Sequence, residues 1–350
     1  MVRIVVTGAA GYIGSHVTFL LLKQGYTVIA LDNLCNSHRN SLHYAVSESQ
    51  TSKHSFHFYQ IDIKNTVDMR SLFHTHKPDA VLHFAGLKSL PDSLLRPLSY
   101  YEVNIGGTLN LLRVCKDTGV RTFIFSSSAA VYGNPTTVPI PETMPACPHN
   151  PYAQSKHIIE QCLNDLVYSD TSWRIANLRY FNPVGAHPSG LLGESPLVPP
   201  TNLMPLIART ALNPGNTLSI YGQDWPTPDG TCIRDYIHVM DLALGHLAAL
   251  KRLLQQTSSF TLNLGTGRGY SVLELLHTFE KICGQKIPYT FAARRVGDVA
   301  SCYADVTLAK TLLGWEAKQS LETMCEDTWR WYQSNPQGYE PIRAPMAAAY

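Results

Sequence analysis

The chain has 350 residues, and 28 Lys and Arg against 26 Asp and Glu leave a formal charge of +2. Its 45% hydrophobic content excludes intrinsic disorder. The absence of any basic block excludes a strong nucleic-acid or anionic-membrane binder, and no apolar run reaches the ~18 residues of a membrane span.

The first predicted strand, Arg3–Val6, runs into Thr7-Gly8-Ala9-Ala10-Gly11-Tyr12-Ile13-Gly14 and a helix over Ile13–Gln24. Gly8 allows a tight turn, Gly11 lets backbone N–H groups approach a pyrophosphate, and Gly14 packs helix on strand. A second strand, Thr27–Leu31, ends in Asp32-Asn33, eighteen residues beyond Gly14. An acid at that distance accepts hydrogen bonds from an adenosine ribose and repels a 2′-phosphate, which favours NAD over NADP. Arg39 downstream leaves NADP open. After the third strand, Phe56–Ile61, Asp62-Ile63 is placed to meet an adenine edge. After the fourth, Ala80–Phe84, the residues Phe84-Ala85-Gly86 offer a floor where a cofactor could approach closely.

A helix over Gly106–Lys116 leads to the fifth strand, Thr122–Phe125, which ends in Ser126-Ser127-Ser128. Asn150-Pro151 then opens a helix, by N-cap chemistry and by proline's preset φ. Tyr152 and Lys156, four residues apart on its first turns, share one face. A hydroxyl at a strand's carboxyl edge, a phenol and an ammonium make a coherent acid–base set. A free phenol titrates near 10, and a nearby Lys⁺ together with a positive nicotinamide is expected to bring it toward neutrality.

A sixth strand, Arg174–Tyr180, closes the βαβ pattern. Residues 182–230 are dense in Pro, Gly and Asn, which reads as ordered loops lining a cleft rather than a second sheet. Helical patterns return at Met240–Leu254, Leu273–Cys283, Val306–Leu313 and Leu321–Tyr332. The expected architecture is α/β: a Rossmann-type, doubly wound parallel sheet over residues 1–181, with segments near 236–264 returning to it, and a smaller, discontinuous mixed α/β substrate-binding domain over 182–340. Eight scattered cysteines without a Cys-x-x-Cys pair, and an amino terminus without a signal-peptide pattern, point to reduced thiols, a cytoplasmic location and no metal centre.

Together Thr7-Gly8…Gly14, Ser126-Ser127-Ser128-Ala129-Ala130-Val131-Tyr132-Gly133 and Tyr152-x-x-x-Lys156 resemble the extended short-chain dehydrogenases. Within them the chain is similar to the UDP-glucose 4-epimerase family along nearly its whole length. Leu31–Ser37, His83–Lys88, Arg179–Gly190, Asp229-Gly230-Thr231, Arg234–Asp241 and Asp327-Thr328-Trp329 carry that likeness. The resemblance implies that Tyr152 takes the proton from a sugar 4-hydroxyl while C4 passes hydride to bound NAD. The 4-keto sugar then turns about its pyrophosphate, and hydride returns to its other face. It further implies a cofactor site that adds Tyr12, Ile13, Asn33, Asn36, Ser37, Lys88, Asn104, Ser126 and Tyr180 to the residues above.

On the substrate side the resemblance implies Lys88, Ser128, Tyr152, Phe181, Asn182, Asn202, Leu203, Ser219, Tyr221, Arg234, Arg295 and Asp298 around a UDP-sugar. The two arginines fit phosphate oxygens as guanidinium forks. Cys302 stands where related enzymes carry a bulky Tyr or something small, so UDP-N-acetylglucosamine is an expected second substrate. A homodimer through helices near Gly106–Lys116 and Gln154–Tyr168 is the family expectation, although their apolar faces suit an intramolecular core equally. There are departures: Ala130 for a threonine, Ala-Gln for the family's Gly and Lys inside Tyr-x-x-x-Lys, and Leu90-Pro91-Asp92-Ser93 for Val-Gly-Glu-Ser. Dehydration would need a carboxyl acid beside the catalytic hydroxyl, which Ala129 and Ala130 do not supply. Decarboxylation of a uronic acid would need an additional cation, and a non-catalytic NAD sensor on the same fold would not need both Tyr152 and Lys156.

Overall fold

A computed structural model describes residues 1–51, 55–213, 215–295 and 297–339. The main strands are β1 (Arg3–Thr7), β2 (Thr27–Asp32), β3 (Phe56–Gln60), β4 (Ala80–His83), β5 (Thr122–Ser128) and β6 (Arg174–Tyr180), with shorter β7 (Asn182–Val184), β8 (Leu218–Tyr221), β9 (Ile233–Arg234) and β10 (Tyr236–His238) after them. β11 (Phe260–Leu264), β12 (Tyr270–Ser271), β13 (Tyr289–Ala292) and β14 (Ser301–Cys302) complete the strands. The helices of the first half are α1 (Tyr12–Lys23), α2 (Arg39–Ser49), α3 (Thr66–His76), α4 (Leu90–Leu95), α5 (Pro97–Tyr100), α6 (Gly107–Thr118) and α7 (Pro151–Ser169). Those of the second are α8 (Leu203–Leu212), α9 (Val239–Gln255), α10 (Val272–Cys283), α11 (Thr307–Leu313) and α12 (Leu321–Ser334).

Seven strands form one sheet in the order β11-β6-β5-β4-β1-β2-β3, every neighbour parallel. The period of two in a strand sends alternate residues to opposite faces. Ile4, Val6, Val28, Ala30, Ile124 and Leu178 meet α1, α2 and α9 on one face. Val5, Ile29, Leu31, Val81, Phe123 and Ile175 meet α3, α6 and α7 on the other. Both faces are covered, so the strands read as continuous apolar runs. The last of the seven comes from far along the chain: β11 pairs with β6 with Phe260 opposite Ala176.

Chain order reverses between β1 and β4, which lie side by side. Such a switch point leaves a crevice beyond the strands' carboxyl ends, and ligands bind there. Gly8 at the end of β1 and Ala85 beyond β4 meet across it.

Residues 182–230 do not stay loops: they contain α8, β7 and β8, with β8 pairing to β13 and β7 to β10. The proline and glycine density masked the apolar positions Met204, Ile207, Ala208 and Ala211, which α8 buries, and Leu218 and Ile220, which alternate inward along β8. A third small sheet, β12-β9-β14, stands beside them. Residue 340, the end of the expected second domain, lies outside the described residues.

Candidate active site

The glycine turn is built as its spacing requires. Gly8 adopts φ +66° and a Cβ there would fall 2.6 Å from the Ala85 nitrogen, while a Cβ on Gly14 would overlap the Gly8 carbonyl oxygen. A Cβ on Gly11 would meet only the Gly8 carbonyl oxygen, at 3.2 Å, so the turn's remaining side is open. α1 starts here with Gly11 as N-cap and no side-chain cap. Its first N–H groups, at Tyr12 and Ile13, therefore have no side-chain acceptor at the positive end of the helix dipole. That is a cradle for a pyrophosphate, and a side chain in place of these glycines would fill it. The Tyr12 side chain itself points elsewhere: its hydroxyl donates to the Gly185 carbonyl at 2.6 Å.

Asp32 ends β2 and is buried. Its carboxylate accepts from Ala10 N at 2.9 Å, Leu34 N at 2.8 Å and the Ser37 hydroxyl at 2.8 Å. A carboxylate offers about four acceptor sites, so capacity for a ribose hydroxyl remains. Asn33 donates to Asp62 at 2.9 Å and joins the ends of β2 and β3, which brings Ile63, buried beneath Gly107, to the same edge. Asn36 turns toward the other half of the molecule, accepting from Val198 N at 3.1 Å.

Phe84, packed 4.9 Å from the His246 ring, Ala85 and Gly86 form the strip beyond β4. Asn104 braces it. The Asn104 amide accepts from Leu87 N at 2.8 Å, donates to Leu87 O at 3.1 Å and donates to the Ser155 hydroxyl at 2.9 Å. It thus ties the β4 loop to α7 one residue before Lys156.

The three serines closing β5 have separate tasks. Ser126 accepts the Lys156 ammonium on its carbonyl at 2.8 Å, and its hydroxyl meets His246 Nε2 at 3.0 Å. The Ser127 hydroxyl donates to Glu160 at 2.5 Å. The Ser128 side chain accepts from Ala130 N at 3.2 Å and lies near enough to the Tyr152 phenol to oppose its rise. α7 opens as expected, with Asn150 accepting from Ala153 N at 2.9 Å and Pro151 in the first turn. Tyr152, Lys156 and Tyr180 thereby meet at one strand edge, with Tyr152 and Lys156 buried.

Burial pushes the Tyr152 phenol up, while nearby Ser128 and the Lys88 charge act in the opposite sense. Lys88 thus joins Lys156 as a cation near the phenol. Lys156 Nζ lies 5.9 Å from the Tyr152 ring centre and is itself drawn down to about 8 by burial, against the pull of Glu160. The chain's own groups alone do not bring the phenol toward neutrality.

Across the crevice, β9, β14 and the 293–300 loop gather a second cluster. Arg234 on β9 approaches Asp298 to 3.6 Å, and Arg295 pairs with the same carboxylate at 3.0 Å. The Arg295 guanidinium lies 4.6 Å over the Tyr221 ring, which ends β8 beside exposed Ser219. Arg234 is further held by its bond to Val299 O at 2.8 Å. Cys302 stands opposite Arg234 in the β9–β14 register, its thiol pushed up to about 11 by burial. Phe181 is buried against Ala129, Val131 and Ala304. Exposed Asn182 bonds through its backbone to Asp235 O at 2.9 Å. Asn202 is the N-cap of α8 without using its side chain for capping, and Leu203 follows it.

Three groups at the site escaped the sequence reading. Glu160 follows Lys156 by one helical turn, a spacing that could have identified it. His246 reaches Ser126 from α9, and Glu194 pairs with Lys88 at 2.8 Å from a distant loop; neither carries a local signal.

The sequence profile of the family described as GDP-mannose 4,6 dehydratase matches residues 5–328. The UDP-glucose 4-epimerase of Bacillus subtilis is 49% identical over 337 residues, covering 96% of this chain and 98% of its own. A solved UDP-glucose 4-epimerase from Bifidobacterium longum, in complex with NAD+ and UDP, superposes with a TM-score of 0.92 at 44% identity, covering 96% of this chain and 100% of the other. The UDP-Glc/GlcNAc 4-epimerase of Campylobacter jejuni superposes with a TM-score of 0.83 at 36% identity, covering 95% and 100%. With a glycine cradle, a Ser128–Tyr152–Lys156 edge whose phenol and ammonium are buried, and near-complete coverage at such identity, the chain belongs to the UDP-glucose 4-epimerase family.

Proposed function

We propose that this chain interconverts UDP-glucose and UDP-galactose, using NAD, by oxidation and re-reduction at sugar C4. The observation that carries this reading is the Ser128–Tyr152–Lys156 set, with Tyr152 and Lys156 buried, at the sheet edge beside the Gly8–Gly14 cradle. When bound, NAD supplies the two-electron acceptor and donor for C4. Tyr152 holds the proton of the 4-hydroxyl: its phenolate would accept that proton as the C4 oxygen becomes a carbonyl and return it to the same oxygen once the opposite face of C4 is reduced. Ser128, beside Tyr152, orients the same oxygen. Lys156, anchored on the Ser126 carbonyl, contributes a fixed positive charge beside the ribose and phenol.

The sugar must turn over between the two half-reactions, so grip belongs on the nucleotide. Arg234 and Arg295 offer guanidinium forks to the diphosphate, Asp298 accepts from ribose hydroxyls, and Tyr221 faces the uracil. Binding energy from these remote groups holds the reacting carbon in place. Asn182, Asn202, Leu203, Phe181 and Ser219 complete that wall. The cofactor side takes the Tyr12 and Ile13 backbone, Asp32, Asn33, Asn36, Ser37, Asp62, Ile63, Phe84–Gly86, Lys88, Asn104, Ser126 and Tyr180. Residues 1–181 with the returning β11 segment then form the NAD half and the remainder the sugar half.

Cys302 leaves the sugar pocket less filled than a tyrosine would, so UDP-N-acetylglucosamine and UDP-N-acetylgalactosamine belong to the substrate range. The similarity to a UDP-Glc/GlcNAc 4-epimerase supports this. Dehydration is disfavoured, because Ser128 is followed by Ala129 and Ala130 and not by an acid. A homodimer fits the exposed side chains Leu94, Leu95 and Leu98 of α4–α5 and Tyr168 at the end of α7. The α6 apolar face expected there is instead buried within the chain, at Leu111, Leu112, Val114 and Cys115. No helix among the described residues is long and apolar enough to cross a membrane. The free cysteines at all eight positions accord with the reducing cytoplasm.

Incubation with UDP-galactose and a coupled glucose readout tests the function. Turnover is expected without added NAD. Tyr152→Phe is expected to bind UDP but lose at least ~100-fold in kcat, the typical worth of a positioned acid–base group. Full activity in that variant would refute the assignment.

A further inference from the structure

A buried ionic network lies behind the proposed catalytic edge, and the reaction as described does not use it. Glu160, 3% exposed, is one turn beyond Lys156 on α7. Its carboxylate accepts from the Ser127 hydroxyl on β5 at 2.5 Å. It also receives the Arg179 fork from β6, Nε at 3.0 Å and a terminal nitrogen at 2.6 Å. Arg179 continues to the Tyr132 hydroxyl at 3.1 Å, and Tyr132 donates to Asn263 on β11 at 2.6 Å. The network therefore joins α7, which carries Tyr152 and Lys156, to the three strands on that side of the sheet. Ser127 stands between the two serines that meet Lys156 and Tyr152.

We propose that Glu160 is the positioning residue of this site. Bridging Ser127 and Arg179, it sets the seat of α7 on β5 and β6 so that Lys156 reaches the Ser126 carbonyl, and it places a carboxylate one helical turn from the Lys156 ammonium. Charge logic agrees with the geometry. The ionisable groups around Lys156 are Tyr152 and Glu160 on α7, His83 on β4, Arg179 and Tyr180 on β6, and His246 on α9. Of these, His83 and His246 are held far down the imidazole range, at about 3 and about 4, by burial. They are neutral at physiological pH. Glu160 is the group that opposes the burial of Lys156. Removing one partner of a buried pair exposes the other to its whole desolvation cost.

This inference rests on the proposed roles of Tyr152 and Lys156, and the test separates the two. In the purified enzyme, Glu160→Gln removes the anion and keeps the shape. The alkaline limb of the kcat profile, which follows loss of the Lys156 proton, is expected to move down by about one pH unit. KM for UDP-galactose should be unchanged, and Glu160→Asp should restore the limb. NMR of lysine-labelled protein, with Lys156→Met as the blank, should report the same displacement without turnover.

Ser127→Ala removes one partner of Glu160 and leaves the Arg179 fork on it; it is expected to lower kcat several-fold at constant KM. It keeps the test open if Glu160→Gln does not fold. An unmoved limb in Glu160→Gln, or an unchanged kcat in Ser127→Ala, overturns the proposal. An active Tyr152→Phe enzyme would instead overturn the underlying site.

Discussion

Tyr152 and Lys156 share a helical face, yet their surroundings pull them in different directions. Burial opposes the charged form of each, so the phenol rises and the ammonium falls to about 8. Lys88 is a cation that opposes the rise of the phenol, and the Glu194 carboxylate pairs with it at 2.8 Å. Lys88→Met should therefore raise the Tyr152 pKa and move the acid limb of the kcat profile to higher pH. A limb that stays in place would show Lys88 to be electrostatically idle. Cys302 is the corresponding residue for specificity. Cys302→Tyr should abolish turnover of UDP-N-acetylglucosamine while preserving UDP-glucose turnover, measured side by side on the two sugars. A wild-type enzyme inactive on the acetylated sugar would remove the basis for that assignment.

Elements decide whether those residues meet. The β1–α1 turn works because Gly14 lies so close to the Gly8 carbonyl oxygen that no Cβ fits between them. Gly14→Ala should displace the start of α1, lose bound NAD on gel filtration, and melt earlier than the parent. The start of α7 has a comparable device. Asn150 accepts from Ala153 N at 2.9 Å, and Asn150→Ala should cost about 1 kcal/mol in denaturant unfolding, the usual worth of an N-cap. It should also lower kcat, since Tyr152 is two residues away. Both devices were readable from sequence because capping and glycine turns are local: the residues that act are neighbours in the chain. α8 and β8 were not, because the prolines and glycines around them obscured a short apolar pattern that only packing against other segments makes decisive.

At the scale of the whole molecule, three of the buried imidazoles have their titration pulled well down. His16, His83 and His246 are held at about 3, about 3 and about 4 by burial, below the 6.5 of a free imidazole. In each case the folded value is lower than the unfolded one. The unfolded chain thus binds more protons between those limits, and stability is lost as pH falls from about 6.5 toward 3, by up to ~1.4 kcal/mol per pH unit for each group fully titrating. Urea midpoints measured from pH 7 to pH 5 should decline accordingly, and a flat response would mean that the three are not neutral in the core.

On this scale the division between sequence and structure is clear. Strand periodicity, the Gly8–Gly14 turn, Asp32, the Ser126–Ser128 strand end and the Tyr152–Lys156 spacing follow from contacts between near neighbours, so they could be read along the chain. The pairing of β11 with β6 across some eighty residues, the Arg234–Asp298–Arg295 cluster, the Lys88–Glu194 pair and the Glu160–Arg179 network depend on segments that meet only after folding. No local rule reports which distant charge will share a low-dielectric site. The sequence alone pointed to the fold class and to the candidate reacting groups; the tertiary structure decided which distant charges lie near the phenol, because that depends on distance and burial rather than on position in the chain.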